Sequence, residues 1–381
     1  MRSVIVYLNA DIVGTLTEET SHGNEVYSFD FDKTYLKNHP TAYFGPDIEN
    51  YAGKQYKQSM FGCFSDCAPD RWGRTLIQLS RPGERLTEMD YLLHLSDYLR
   101  TGAFRFYDPD TDAFLESDGD RIPPMLSLRE LEQASYDIEN GTASDSLRRI
   151  IVQGSSLGGA RPKANVIDEK NDLWIAKFPS KTDTYDVGAW EAIENELARV
   201  YGLNVPETKA VKLSDHGTTF LSRRFDRDHD TRIPYFSAMT MLGAADGNPE
   251  HLGYYDILDL MEAIGDTKDI PELYRRIIFS MLTSNTDDHL RNHGFLMINN
   301  EINLSPVFDI NPAPDGWQHA MYRQDGLSTI QDIIEVHELF HVDEHDAKEF
   351  AAVCRDTIKS KLPGLCDRYQ IPKAQRNKFL S

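Results

Sequence analysis

The sequence predicts an α+β protein with a β-rich N-terminal part and a mainly helical C-terminal part. Near the N-terminus, apolar and polar residues alternate in SVIVYLNADIVGTL and EVYSFDF, as in strands that bury one face. From about Thr240 onward the apolar residues mostly follow helical spacing. The exception is GFLMINNEINL, which is typical of a hairpin that turns at Asn299 and Asn300.

Between these parts lies a smaller unit. RRIIVQG predicts a strand, GSSLGGARPK a loop, and ANVID and LWIAKF two strands joined by the turn EKND. DVGAWEAIENELARVYG carries apolar residues at helical spacing, and Gly202 is expected to end that helix. The polar, proline-containing stretch SDGDRIPPM indicates a linker, so we expect domains over 1–120, 121–228 and 229–381.

Composition excludes some functions. The chain has 381 residues, with Lys+Arg 40 against Asp+Glu 61 and a formal net charge of -21. Such a charge argues against direct, non-specific binding to nucleic acid or to an anionic membrane. The four cysteines are too few for a disulfide framework. The first residues lack the pattern of a signal peptide, and no apolar run approaches a membrane span, so we expect a soluble cytoplasmic protein.

Four features needed for phosphoryl transfer from ATP occur in the chain order of protein kinases. Gly158 and Gly159 in SSLGGARPK would let backbone N–H groups approach phosphate oxygens, although a plain hairpin turn has the same composition. One strand later comes Lys177, a candidate phosphate ligand that could also extend to solvent. The next helix carries three glutamates that could orient this lysine, and we favour the first of them: Glu191, Glu194 and Glu196.

The segment NTDDHLRNHG lies between two apolar runs. In protein kinases the catalytic aspartate is followed five positions later by an asparagine that binds metal, and Asp287 and Asn292 have this spacing. Asp287 would accept the hydroxyl proton or orient the hydroxyl. After the hairpin, Asp309 in SPVFDINP is expected to return close to Asn292, and both would bind Mg²⁺ through oxygen atoms. Each residue alone could instead be a polar group that caps a helix or a turn.

These segments resemble the HipA-like serine/threonine kinases, toxin halves of bacterial toxin–antitoxin pairs, over most of the chain. PDRWGR is similar to the N-terminal signature of the family, SLGGARPKA to its phosphate loop and WIAKFPS to its lysine strand. SRRFDR resembles the segment near the nucleotide base, and NTDDHLRN and LSPVFDI the catalytic and metal-binding motifs. The resemblance implies a two-lobed, protein-kinase-like fold with an additional β-rich N-terminal subdomain.

The resemblance also implies roles for individual residues. Asp287 matches the catalytic aspartate, Asn292 and Asp309 match the magnesium ligands, and Ser156, with Ser155 as its alternative, matches the autophosphorylated serine. Some members have glutamate in place of Arg223, although base contact in such segments is largely by backbone. The nucleotide-binding set implied is Gly158, Gly159, Ala160, Arg161, Pro162, Lys163, Lys177, Arg223, Arg224, Phe225, Asp287, His289, Asn292 and Asp309.

The implied cofactors are ATP and Mg²⁺, and the implied substrate is a protein, which in some family members is an aminoacyl-tRNA synthetase. A small helix-turn-helix antitoxin of the HipB type is the implied partner, with DNA contacted only through it. One alternative is a non-catalytic ATP-binding scaffold or corepressor. Another is a zinc protease, because HELFH matches H-E-x-x-H and would place His337 and His341 on one helical face, with His345 as a conceivable third ligand.

Overall fold

An antiparallel sheet with buried aromatic residues on one face begins the chain. The computed structural model describes residues 1–21, 23–115, 124–142, 161–244, 252–313 and 320–379. The strands are β1 (Arg2–Leu8), β2 (Asp11–Ser21), β3 (Asn24–Phe31), β4 (Gln55–Lys57), β5 (Phe104–Asp108), β6 (Ala113–Phe114), β7 (Lys163–Ile167), β8 (Leu173–Lys177), β9 (Thr208–Val211), β10 (Thr219–Arg223), β11 (Arg227–Asp228), β12 (Thr231–Arg232), β13 (Tyr235–Ser237), β14 (Gly294–Ile298) and β15 (Glu301–Leu304).

The α-helices concentrate in the second half of the chain, as the sequence predicts. They are α1 (Lys33–Asn38), α2 (Gly62–Ser65), α3 (Arg71–Ser80), α4 (Glu88–Leu93), α5 (Leu128–Glu139), α6 (Val187–Tyr201), α7 (Ala238–Met241), α8 (Tyr254–Ile264), α9 (Ile270–Leu282), α10 (Met321–Gln324), α11 (Ile330–Glu335), α12 (Glu344–Arg368) and α13 (Lys373–Phe379). Short 3₁₀ turns occupy Asp97–Leu99, Met125–Ser127, Thr267–Asp269, Leu290–Asn292 and His337–Phe340. No helix within the described ranges combines the length and apolar character of a membrane span.

Contacts divide the chain into two compact units. The N-terminal unit contains Met1–Lys177 and Arg224–Asp246, and the C-terminal unit contains Phe178–Arg223 and Gly247–Ser381. These limits differ from the divisions predicted at residues 120 and 228. The segment after β10 belongs with the N-terminal sheet because the side chains of Arg224 and Arg227 bind backbone carbonyls near residue 100. The three-domain division itself stays a prediction.

The N-terminal unit is built on the sheet with strand order β4-β3-β2-β1-β5-β6. Its alternation predicts the buried face correctly, because Val4, Val6 and Leu16 are at most 2% exposed. Phenylalanines from separate segments pack there edge-to-face, among them Phe29, Phe64 and Phe104. β7 and β8 pair as an antiparallel hairpin in the same unit. The predicted strand at residues 148–154 and most of the predicted linker lie outside the described residues.

The C-terminal unit confirms two local predictions. Asp186 caps α6 by accepting from the backbone N–H of Ala189, and Gly202 ends this helix with a positive φ of 92°. β14 and β15 form the expected hairpin, in which Asn299 and Asn300 have φ values of 53° and 63°. Asparagine tolerates this left-handed conformation better than most residues, which explains the two-residue turn.

Candidate functional site

The segment 285–294, called the 285–294 loop below, follows the end of α9. Ser284 has a positive φ of 57°, which turns the chain sharply at the start of the loop. The hydroxyl of Thr286 donates to the carbonyl of Ala313, and Ala313 N–H donates to the carbonyl of Ser284 at 2.8 Å. Two hydrogen bonds therefore join the start of this loop to the chain that follows Asp309, and the approach of Asp309 to Asn292 stays a prediction.

Asp287 and Asn292 are joined within the 285–294 loop. The side-chain amide of Asn292 donates through Nδ2 to the backbone carbonyl of Asp287 at 3.0 Å, and Asn292 N–H donates to the carbonyl of His289 at 2.8 Å. Because Nδ2 is engaged, Oδ1 is the atom of Asn292 suited to a cation. Asp309 has a positive φ of 57°, a conformation that non-glycine residues adopt mainly where the surroundings require it.

Asp288, the neighbour of the predicted catalytic residue, points into the protein. It is 3% exposed and accepts hydrogen bonds from the hydroxyls of Tyr254 and Ser280. His293 Nε2 lies 2.9 Å from its other oxygen and acts as a donor opposite a carboxylate. Burial alone would raise the pKa of Asp288, but the charge of His293 and the hydrogen bonds from His293 and Tyr254 lower it below its ordinary value.

The three glutamates of α6 have different surroundings. Glu196 pairs at the surface with Arg368 and accepts from the hydroxyl of Tyr369, both at 2.7 Å. Glu194 is 3% exposed, and burial raises its pKa to about 8, partly offset by a hydrogen bond from Thr283. Glu191 is also buried, and its carbonyl accepts from Asn195 at 2.8 Å. The choice of Glu191 as the residue that orients a lysine stays a prediction.

The predicted phosphate ligands Lys163 and Lys177 are directly opposite each other in the β7–β8 hairpin. Lys163 is 1% exposed, and its Nζ pairs with Asp70 Oδ2 at 2.7 Å. Asp70 also caps α3 by accepting from Gly73 N–H at 2.7 Å, and Trp72 Nε1 donates to the carbonyl of Lys163 at 3.2 Å. The PDRWGR segment thus anchors the strand that follows the glycine-rich loop.

Buried hydrogen bonds and an ion pair hold the predicted base-contacting segment in place. The guanidinium of Arg224 donates to the carbonyls of Leu99 and Arg100 at 2.7 and 3.0 Å and pairs with Asp226 at 2.6 Å. Desolvation would raise the pKa of Asp226, but Arg224 and Arg227 lower it far below its ordinary value. The side chain of Arg224 is therefore turned inward, and a contact of Arg224 with a base would have to come from its backbone.

Some predicted site residues lie outside the described residues. These are Ser155, Ser156, Gly158, Gly159 and Ala160, so the predicted phosphate loop itself has no structural account. Pro162, at the other end of the motif, is buried, and Arg161 is partly exposed.

Phe225 belongs to the predicted base-contacting segment. Its aromatic ring lies 6.2 Å from that of Tyr235 within the N-terminal unit.

The zinc-protease alternative fails on local geometry. His337–Phe340 is a 3₁₀ turn and not an α-helix, and His341 ends it with a positive φ of 56°. His337 Nδ1 lies 2.7 Å from the carbonyl of Val342, while His341 Nε2 lies 3.1 Å from Glu262. Two histidines positioned in this way do not share the face that H-E-x-x-H requires. His345 lies exposed in a separate group with Asp343 and Asp346.

Sequence reasoning missed the buried partners of the predicted residues. Nothing local marks Asp70 as the partner of Lys163, or Tyr254 as that of Asp288, since these pairs are separated by 93 and 34 positions. The SRRFDR segment did contain a signal, because closely spaced opposite charges between apolar strands are costly to bury unless they pair.

Curated relatives match part of the chain. A protein of Sinorhizobium fredii named "Putative kinase Y4dM" is 25% identical over 210 residues, 51% of this chain and 50% of that protein. A protein of Haemophilus influenzae named "Putative kinase" is 28% identical over 191 residues, 43% of this chain and 55% of that protein. The chain thus spans about half the length of the curated relatives it matches.

A solved structure matches over a greater length. It is the Shewanella oneidensis toxin–antitoxin complex of HipA and HipB with operator DNA, in which the matching chain has a TM-score of 0.58 and 16% identity, covering 96% of this chain and 97% of that chain. At this identity the similarity shows the fold alone. The family model described as the HipA N-terminal domain matches residues 4–106, and that of the HipA-like C-terminal domain matches residues 155–362. Because the second match spans more than half of the sequence, the chain belongs to the HipA-like family.

Proposed function

We propose that this chain is an ATP- and Mg²⁺-dependent serine/threonine protein kinase. The observation that carries the proposal is the 285–294 loop, where Asn292 binds the backbone of Asp287 and the chain after Asp309 binds residues 284 and 286. Family membership and the names of the curated relatives support the same reaction class. Catalysis of phosphoryl transfer depends mainly on positioning the reacting groups and on stabilising the charge of the phosphates, and such a loop can supply both.

In this proposal Asp287 orients the substrate hydroxyl and accepts its proton. The hydroxyl oxygen forms a bond to the γ-phosphorus, the bond from that phosphorus to the bridging oxygen breaks, and ADP leaves. Asn292 Oδ1 and the Asp309 carboxylate would hold Mg²⁺, which prefers oxygen ligands and, when bound, neutralises charge on the phosphates. Lys177 would bind phosphate oxygens, and Glu191 would orient that lysine.

Replacing Asp287 with Asn tests the catalytic assignment. The amide keeps the shape of the side chain but removes the charge, so labelled phosphate transfer to protein should fall by orders of magnitude while ATP binding, measured by calorimetry, survives. Asp259→Asn on the exposed side of α8 is the matched control and should retain activity. Transfer by Asp287→Asn at the parent rate would remove Asp287 from the mechanism.

Autophosphorylation of Ser156, with Ser155 as the alternative, is the proposed off-switch. A phosphoserine carries between about one and two negative charges at neutral pH and would repel the phosphates of ATP. Mass spectrometry after incubation with ATP and Mg²⁺ should find the phosphate, and the modified protein should bind ATP poorly. Ser156→Ala should prevent this loss and Ser155→Ala should not. Absence of phosphate from both serines would remove the switch.

A small helix-turn-helix protein of the HipB type is the proposed partner, through which DNA would be contacted. The Shewanella oneidensis structure contains HipB with HipA and operator DNA, and the net charge of -21 disfavours direct DNA binding by this chain. Co-expression with the product of a neighbouring gene should yield a complex that binds operator DNA, whereas this chain alone should not. DNA binding by the isolated chain would contradict this assignment. The substrate is proposed to be a protein, such as an aminoacyl-tRNA synthetase. The protein that receives labelled phosphate in the transfer assay identifies it.

A further inference from the structure

Asp288 is buried beside the proposed catalytic residue but has no part in the proposed reaction. Burying a carboxylate costs free energy of desolvation. Replacing buried charged groups with apolar residues of similar size often leaves the stability of a protein unchanged or higher. Asp288 nevertheless accepts hydrogen bonds from Tyr254 on α8, from Ser280 on α9 and from His293 in its own loop. Both carboxylate oxygens of Asp288 are therefore paired, and a buried carboxylate held in this way specifies one geometry, which is a reason to keep it.

Two hydrogen-bonded contacts close the 285–294 loop, and both span the same number of sequence positions. The first joins the side chains of Asp288 and His293, and the second joins the Asn292 amide to the Asp287 carbonyl. Each spans five positions, and the two are offset by one residue. The backbone on either side of the loop is thereby tied together at the two residues proposed to act on the hydroxyl and on the metal.

Tyr254 connects this loop to a separate helix. Its backbone N–H donates to Asp325 Oδ2 at 2.6 Å, at the start of α8. Gly253 packs so closely there that an added Cβ would lie 2.0 Å from Asp325 Oδ1. The ring of Tyr254 meets that of His293 edge-on, with centroids 5.4 Å apart. The start of α8, held on Asp325, thus places the phenol hydroxyl opposite the loop.

We propose that Tyr254, Asp288 and His293 form a positioning triad that holds Asp287 and Asn292 in the geometry for phosphoryl transfer, an inference that rests on the function proposed above. The triad touches neither substrate nor metal. It acts through the backbone of the 285–294 loop, so its loss should reduce turnover rather than ATP affinity. A displacement on the order of 1 Å at a reacting group can reduce the rate about 100-fold.

Tyr254→Phe removes one hydroxyl and keeps the ring. The matched control is Tyr274→Phe, because both tyrosines are 0% exposed, and the Tyr274 hydroxyl donates to the carbonyl of Ile333 at 2.9 Å, away from the loop. Both variants should lose a similar part of their free energy of unfolding. Tyr254→Phe should lower kcat about tenfold to 100-fold with KM for ATP nearly unchanged, whereas Tyr274→Phe should keep both values near the parent's.

The outcomes separate this inference from the proposed function. An inactive parent chain and an inactive Tyr274→Phe would contradict the kinase proposal and the triad with it. An active parent with equal kcat in both variants would overturn the triad alone. If Tyr254→Phe does not fold, Ser280→Ala tests the same carboxylate through the longer 3.3 Å bond. That variant should lower kcat by a smaller factor, and an unchanged kcat would refute the triad.

Discussion

Glu194 on α6 should make the C-terminal unit less stable as the pH rises. The carboxyl is 3% exposed, and its Oε2 has no hydrogen-bond partner among the residues that the structure describes. Burial raises the pKa of this group from 4.5 to about 8 in the folded protein, with a hydrogen bond from Thr283 opposing the rise. In the unfolded chain the same carboxyl ionises near pH 4.5.

The sign of the effect follows from this difference in pKa. Below pH 4.5 the carboxyl is neutral in both states, so the folded protein retains its full stability. Between pH 4.5 and 8 the unfolded chain releases the proton while the folded protein keeps it, and stability falls. A shift of about 3.5 pH units at 1.36 kcal/mol each corresponds to a loss of roughly 5 kcal/mol by pH 8, after which it levels off.

Glu194→Gln removes this dependence because an amide is neutral at every pH. Urea unfolding of both proteins, followed at intervals from pH 5 to 9, gives the difference in free energy of unfolding. The variant should match the parent near pH 5 and exceed it by several kcal/mol near pH 9. Glu196→Gln, whose side chain pairs with Arg368 at the surface, is the control on the same helix and should leave the slope unchanged. Parallel curves for the parent and Glu194→Gln would refute the reasoning.

Three further predictions concern packing, anchoring and metal. Gly188→Ala places a Cβ 1.9 Å from the carbonyl oxygen of Thr218, so urea unfolding should show a loss of about 1–3 kcal/mol, and an unchanged midpoint would show that this contact relaxes freely. Asp70→Ala removes the 2.7 Å partner of buried Lys163 and should cost roughly 3–5 kcal/mol of unfolding free energy, more than Asp70→Asn, and equal losses would argue against the ion pair. Asn292→Ala and Asp309→Ala should each raise the Mg²⁺ concentration at half-maximal activity, and the parent's Mg²⁺ dependence in both would make these residues structural.

Much of the fold was predictable because its signals are local. The alternation in β1 to β3, the Asn299–Asn300 turn and the glycine at the end of α6 each depend on residues within a few positions of one another. The HELFH motif shows the limit of a local pattern. Its spacing requires a helix, but the backbone reverses at His341, so the two histidines diverge.

The sequence by itself determined much of the secondary structure, the order of the kinase-like motifs and the five-position spacing of Asp287 and Asn292. Only the tertiary structure decided which charged and polar groups are buried together: Lys163 with Asp70, Arg224 with Asp226 and the carbonyls near residue 100, and Asp288 with Tyr254. Most of these contacts join residues tens of positions apart, so no periodicity or spacing encodes them. Burial removes each group from water, and a partner then becomes necessary, which is why packing selects these contacts.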